Sequence, residues 1–131
     1  MSRSIACLVK GLAAFCLAAV VAIGAADAGE ADVVGVKVTP EGGGLYRFDV
    51  TVRHADTGWD HYADKWEVIG PGGEVLGTRE LAHPHENEQP FTRSLAGVRI
   101  PEGVTKVTVR AHDSVDAYGG AEMMASVPAG R

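Results

Sequence analysis

From residue 29 onward the chain alternates apolar and polar positions in short runs. The clearest lies at 45–54, where Tyr46, Phe48, Val50 and Val52 take one face and Arg47, Asp49, Thr51 and Arg53 the other. A period of two is the signature of a half-buried strand. Residues 104–112 repeat it with Val107, Val109 and Ala111, and residues 62–69 place Trp66 and Val68 inward. Further strands are expected at 32–39, 74–81, 90–98 and 121–127, the last with Met123 and Met124 divided between core and surface. Pro40-Glu41-Gly42-Gly43-Gly44, Gly70-Pro71-Gly72-Gly73 and Pro101-Glu102-Gly103 are turn sequences, and 82–89 and 113–120 are polar loops. No stretch holds a helical period. Short strands punctuated by turns every ~8–12 residues predict an all-β, seven-stranded antiparallel sandwich.

The pattern breaks before residue 29. Arg3 and Lys10 precede a charge-free apolar run at 11–24 (GLAAFCLAAVVAIG), and Ala26-Asp27-Ala28 has a small-x-small form. These features predict a cleaved signal peptide over 1–28 and a single domain over 29–131. The run is shorter than the ~20 residues a spanning helix needs, so no membrane association is expected after cleavage. Cys16 follows Phe15 rather than a small residue, which argues against a lipoprotein signal, and there is no Arg-Arg pair. The expected location is outside the cytoplasm: periplasmic in a Gram-negative bacterium, otherwise secreted.

Dividing the chain changes its arithmetic. The whole sequence has 131 residues, 12 basic and 17 acidic side chains and a net charge of -5. Residues 1–28 carry two of the basic and one of the acidic groups, which leaves -6 on the remainder. They also carry both cysteines, Cys7 and Cys16, while all five histidines lie beyond them. A domain without cysteine has no disulfide framework, thiol nucleophile or thiolate-ligated metal, blue copper included. Its acidic balance argues against nucleic acid as a partner.

The stretch Val107-Thr108-Val109-Arg110-Ala111 is similar to the sixth strand of fibronectin type III modules, and Trp66 stands where such modules carry a core aromatic. The chain thus resembles an immunoglobulin-like sandwich of that type, without the strand-linking cysteine pair of antibody domains. The resemblance implies a fold and no function.

In such a sandwich the loops after the second, fourth and sixth strands share one end. His54, His61, His83, His85 and His112 all fall there, with Asp56, Asp60, Asp64, Glu86, Glu88, Asp113 and Asp116. The opposite turns hold Glu41, Glu74 and Glu102 and no histidine. His83-Pro84-His85 is the sharpest local feature, because residues at i and i+2 of an extended segment point the same way and Pro84 biases His83 toward extension. The candidate metal ligands are His83, His85, His61, His54, His112 and Asp113, for Zn²⁺ or Cu²⁺, with nearby carboxylates orienting the imidazoles. The plainer readings stand beside this one. His54 has the inward parity of Val50 and Val52 and suits a capped core histidine, while His112 has the parity opposite to Val107, Val109 and Ala111. The Asp56–Asp60 segment has Asx-turn chemistry that needs no ion.

A second reading is a non-enzymatic module that recognises a sugar or an extracytoplasmic protein through Trp59, Asp60, Tyr62, Glu86 and Tyr118. A third is an enzyme with a metal-activated water, served by Glu86, Glu88 or Asp113. No G-x-S-x-G, H-E-x-x-H or phosphate-loop motif supports catalysis. His112-Asp113-Ser114 is a sequence neighbourhood rather than a triad. An oxygenase using an N-terminal histidine is disfavoured by the expected start at Gly29.

Overall fold

Seven strands follow one another along the chain: β1 (Asp32–Gly42), β2 (Leu45–Arg53), β3 (Ala63–Ile69), β4 (Val75–Glu80), β5 (Phe91–Arg99), β6 (Lys106–Asp113) and β7 (Met123–Ser126). The computed structural model describes residues 29–129, and the expected signal peptide at 1–28 lies outside the described residues. All strand pairings are antiparallel. They form a three-stranded sheet in the order β1-β2-β5 and a four-stranded sheet in the order β4-β3-β6-β7. Among the described residues there is no helix. The architecture is the all-β, seven-stranded one expected from the alternation, and it is compatible at that level with the fibronectin type III resemblance.

The inward faces are those the periodicity marks. Tyr46, Phe48, Val50 and Val52 of β2 meet Trp66 and Val68 of β3 and Val107, Val109 and Ala111 of β6 in one buried cluster. Met123 packs against that cluster and Met124 is exposed. β1 continues through Pro40, which pairs with Tyr46, before an irregularity brings Gly42 opposite Leu45. Proline is tolerated there because β1 is an edge strand and its missing N–H breaks no inner ladder.

Two irregularities shape the loop end. A register shift between Ala63 and Lys65 reverses the parity of β3, so that Ala63 and Trp66 are both buried. Such a bulge re-aims side chains where a strand leaves its sheet. At Gly120 a Cβ would collide with the Ala31 carbonyl, so only glycine lets the β6–β7 loop come this near. The approach allows Val33 N to donate to Ala121 O at 2.8 Å and Ala121 N to donate to the buried Asp32 Oδ1 at 2.7 Å. The lead into β1 is thereby held against the loop that follows β6.

Candidate metal centre

Two polar residues extend the inward faces of opposite sheets. His54 follows β2 in the register of Val50 and Val52, and Asp113 ends β6 in the register of Val109 and Ala111. Both side chains are wholly excluded from solvent. His61, from the β2–β3 loop, completes a group of three, the one cluster of its kind among the described residues.

The ligand-type atoms face one another closely. His54 Nε2 lies 3.2 Å from His61 Nε2 and 3.6 Å from Asp113 Oδ2. His61 Nε2 lies 3.3 Å from Asp113 Oδ1 and 3.1 Å from Asp116 Oδ2. The Gly29 carbonyl oxygen is 3.1 Å from His54 Nε2. His61 and Asp116 are partly exposed, so the group opens to solvent on their side.

Asp56 orients the buried imidazole. Its Oδ1 accepts from His54 Nδ1 at 2.5 Å and from Ala63 N at 3.2 Å, and its Oδ2 accepts from His85 N at 2.7 Å. A carboxylate oxygen accepts, so His54 carries a hydrogen on Nδ1 and turns Nε2 toward the cluster. Gln89 steadies the same strand end, its Oε1 accepting from His54 N at 2.9 Å while its Nε2 donates to His85 O at 2.8 Å.

Asp113 is wrapped from the other side. Its Oδ1 accepts from Val115 N at 2.9 Å and Asp116 N at 2.5 Å. Asp113 and Ala117 exchange main-chain hydrogen bonds across a tight loop in which Ala117 has φ 58°. Its Oδ2 is buried and accepts no hydrogen bond. His54 Nε2 therefore has the Gly29 carbonyl at 3.1 Å and Asp113 Oδ2 at 3.6 Å.

The remaining candidates occupy other positions. His83 and His85 come together, ring centroids 4.6 Å apart, but as a tilted stack. The buried His85 ring lies flat on Phe91 at 4.0 Å and 8°, and both its nitrogens lack partners. Burial, reinforced by the charges of Arg93 and His83, holds its pKa below the ordinary 6.5. His112 Nδ1 bonds Asp64 Oδ1 at 2.6 Å, and its ring meets Tyr118 edge-on. Tyr118 in turn donates to Glu67 Oε1 at 2.9 Å, and the Arg110 guanidinium covers its ring at 4.1 Å. Burial raises the Glu67 pKa, but bonds from Tyr118 and Arg110 outweigh it and hold the carboxyl below its usual range. Asp60 and Glu86 are exposed, and Trp59, 66% exposed, meets Tyr62 edge-on at 5.5 Å.

Three contributions were not singled out at the level of sequence: Asp56 as the orienting carboxylate, Asp116 beside His61, and the Gly29 carbonyl. Parity offered a signal for Asp113, which continues the odd-numbered inward face of β6. A main-chain carbonyl carries no signal in a sequence.

No family model matches the chain. It is 45% identical over 104 residues to a protein of Halomicrobium mukohataei named "Putative lipoprotein", an alignment covering 79% of this chain and 51% of that one. The chain therefore spans about half the length of the curated relative it matches. Among solved structures, a hypothetical protein of Pyrococcus horikoshii superposes with a TM-score of 0.50 at 16% identity, over 76% of this chain and 90% of the other. That likeness shows the all-β fold alone. A superoxide reductase (neelaredoxin) of Archaeoglobus fulgidus superposes with a TM-score of 0.47 at 15% identity, over 73% and 86% of the two chains.

Proposed function

We propose that this protein is an exported metal-binding domain that holds one divalent transition-metal ion on His54, His61 and Asp113. The observation that carries the reading is the spacing of the three. Bonds of ~2.1 Å in a tetrahedral shell set ligand atoms ~3.4 Å apart; here His54 Nε2 lies 3.2 Å from His61 Nε2 and 3.6 Å from Asp113 Oδ2, and one ligand atom from each of the three residues lies within 4.8 Å of the others. Two imidazoles and a carboxylate are a ligand set that suits Zn²⁺. A single metal ion would engage both imidazoles and the Asp113 carboxylate together. Asp56 then plays the part of a carboxylate behind a metal-bound histidine. His83, His85 and His112 stand outside the proposed shell.

Calorimetric titration of the purified protein with Zn²⁺ and Cu²⁺ tests this. The expected result is a single Zn²⁺ site with Kd below ~10 µM, lost in His54→Ala/His61→Ala and kept in His83→Ala/His85→Ala. Wild-type protein that binds neither ion, or a loss confined to the His83/His85 variant, would overturn it.

Export is part of the same proposal. It rests on the 11–24 apolar run with its small-x-small site, and the lipoprotein name of the Halomicrobium relative points the same way. Mass measurement of the protein from its host decides between a start at Gly29 and a retained, anchored leader.

One observation favours a second reading, recognition of a sugar or protein partner. Trp59 stands out from the loop end and is propped by Tyr62, an arrangement suited to stacking against a ligand. Tyr118 is already engaged by Glu67 and Arg110. On this reading Trp59→Ala abolishes capture of the partner while chelators leave it unchanged.

A further inference from the structure

The three side chains leave a tetrahedral shell one ligand short. Two oxygens compete for the place. Asp116 Oδ2 lies beside His61 at 3.1 Å on a half-exposed side chain that takes no part in the three-residue cluster. The Gly29 carbonyl lies 3.1 Å from the buried His54 Nε2, close to the ~3.4 Å that separates ligand atoms in a tetrahedral shell. Its position is held locally. Gly29 has φ +94°, which favours glycine, and a Cβ there would meet Asp116 Oδ2 at 3.4 Å. Two residues on, Ala31 is buried, and Asp32 and Val33 are bonded to Ala121.

Resting on the metal reading above, we propose that the main-chain carbonyl of Gly29 is the fourth ligand. It closes the shell, and metal occupancy becomes the clasp that fastens the lead into β1 onto the loop end of the sandwich. A closed shell of four protein ligands suits holding an ion rather than activating a water. It also links two events at one place, because the chain passes from its apolar N-terminal segment into the domain at the residue that completes the centre.

The test compares Zn²⁺ affinity and amide exchange in wild type, Gly29→Ala and Asp116→Ala of the full chain. Alanine resists φ near +94° and so turns the carbonyl away. Gly29→Ala is expected to weaken Zn²⁺ at least tenfold while the melting temperature of the metal-free protein stays put. In wild type Zn²⁺ should slow exchange at the Glu30 and Ala31 amides at least tenfold, and in Gly29→Ala it should not. Asp116→Ala should change affinity less than Gly29→Ala does. If Gly29→Ala binds Zn²⁺ as wild type does, or Zn²⁺ leaves exchange at Glu30 and Ala31 unchanged, the carbonyl is not a ligand and the three-residue site stands without it. If Asp116→Ala alone loses affinity, the fourth place belongs to Asp116. If wild type takes up no Zn²⁺, the metal reading itself falls.

Discussion

Asp113 Oδ2 lies 3.6 Å from His54 Nε2 with both side chains shut off from solvent, yet it accepts no hydrogen bond. The other oxygen of the same carboxylate is doubly served by the amides of Val115 and Asp116. A buried acceptor left without a donor costs about 1–3 kcal/mol, so this arrangement weakens the metal-free fold.

Asp113→Asn separates stability from binding. The amide keeps the shape and replaces the unpartnered Oδ2 with a donor facing His54 Nε2. The metal-free variant is expected to gain about 1 kcal/mol, a rise of several degrees in melting temperature, while Zn²⁺ affinity falls at least a hundredfold. Parallel thermal melts and titrations check both signs, and a variant that melts earlier than wild type without metal would contradict the account.

Asp56→Asn acts through His54 and does not touch the ion. The amide cannot accept at every point where Asp56 meets His54 Nδ1, Ala63 N and His85 N, so the imidazole loses its fixed orientation. Zn²⁺ affinity is expected to drop 10–100-fold, with a stability loss of about 1–3 kcal/mol. Asp56→Glu should recover part of the affinity if the carboxylate matters for its charge.

The buried His85 makes stability fall with acidity. In the unfolded chain the ring takes up a proton near its ordinary 6.5, whereas burial holds the folded value lower. Stability from the neutral ring is therefore complete above pH 6.5 and declines as pH drops through the interval below it. His85→Phe keeps the stack on Phe91 and abandons no hydrogen bond, since both ring nitrogens lack partners. Denaturant unfolding of metal-free protein at pH 7.5 and 5.5 should show a smaller loss in the variant; equal losses would assign the pH dependence elsewhere.

Tyr118→Phe tests whether Tyr118 serves the fold or the centre. Its hydroxyl bond helps hold Glu67 ionised, so the variant should lose about 1 kcal/mol at pH 7. The folded pKa of Glu67 is depressed, so this contribution is present above its ordinary 4.5 and fades as pH falls through the folded value. Zn²⁺ affinity should be unaffected, and a tenfold change would bring Tyr118 into the site.

Much of this was legible in the chain. Alternation at Tyr46–Val52 and Val107–Ala111 marked the inward faces, because a two-residue period has only one way to face a core. Gathering the histidines at one end followed from antiparallel order alone. His83-Pro84-His85 brings its rings together, but as a stack. The i and i+2 rule holds for extended strand, but these residues lie in a loop whose second ring turns in to stack on Phe91. Convergence of His54 with Asp113 depends on how two sheets pack, and His61 arrives from a loop whose path no periodicity describes. Asp56 gains its part from bonds to residues as distant as His85, and the Gly29 carbonyl belongs to the backbone.

The most direct measurement is X-ray absorption at the zinc edge on the Zn²⁺-loaded protein, repeated on Asp113→Asn. The account predicts two imidazoles at ~2.0–2.1 Å with oxygen at ~2.0–2.2 Å in a four-coordinate shell, and a shell that loses an oxygen or fails to form in the variant. A shell of three or more imidazoles, or one unchanged by Asp113→Asn, would contradict it.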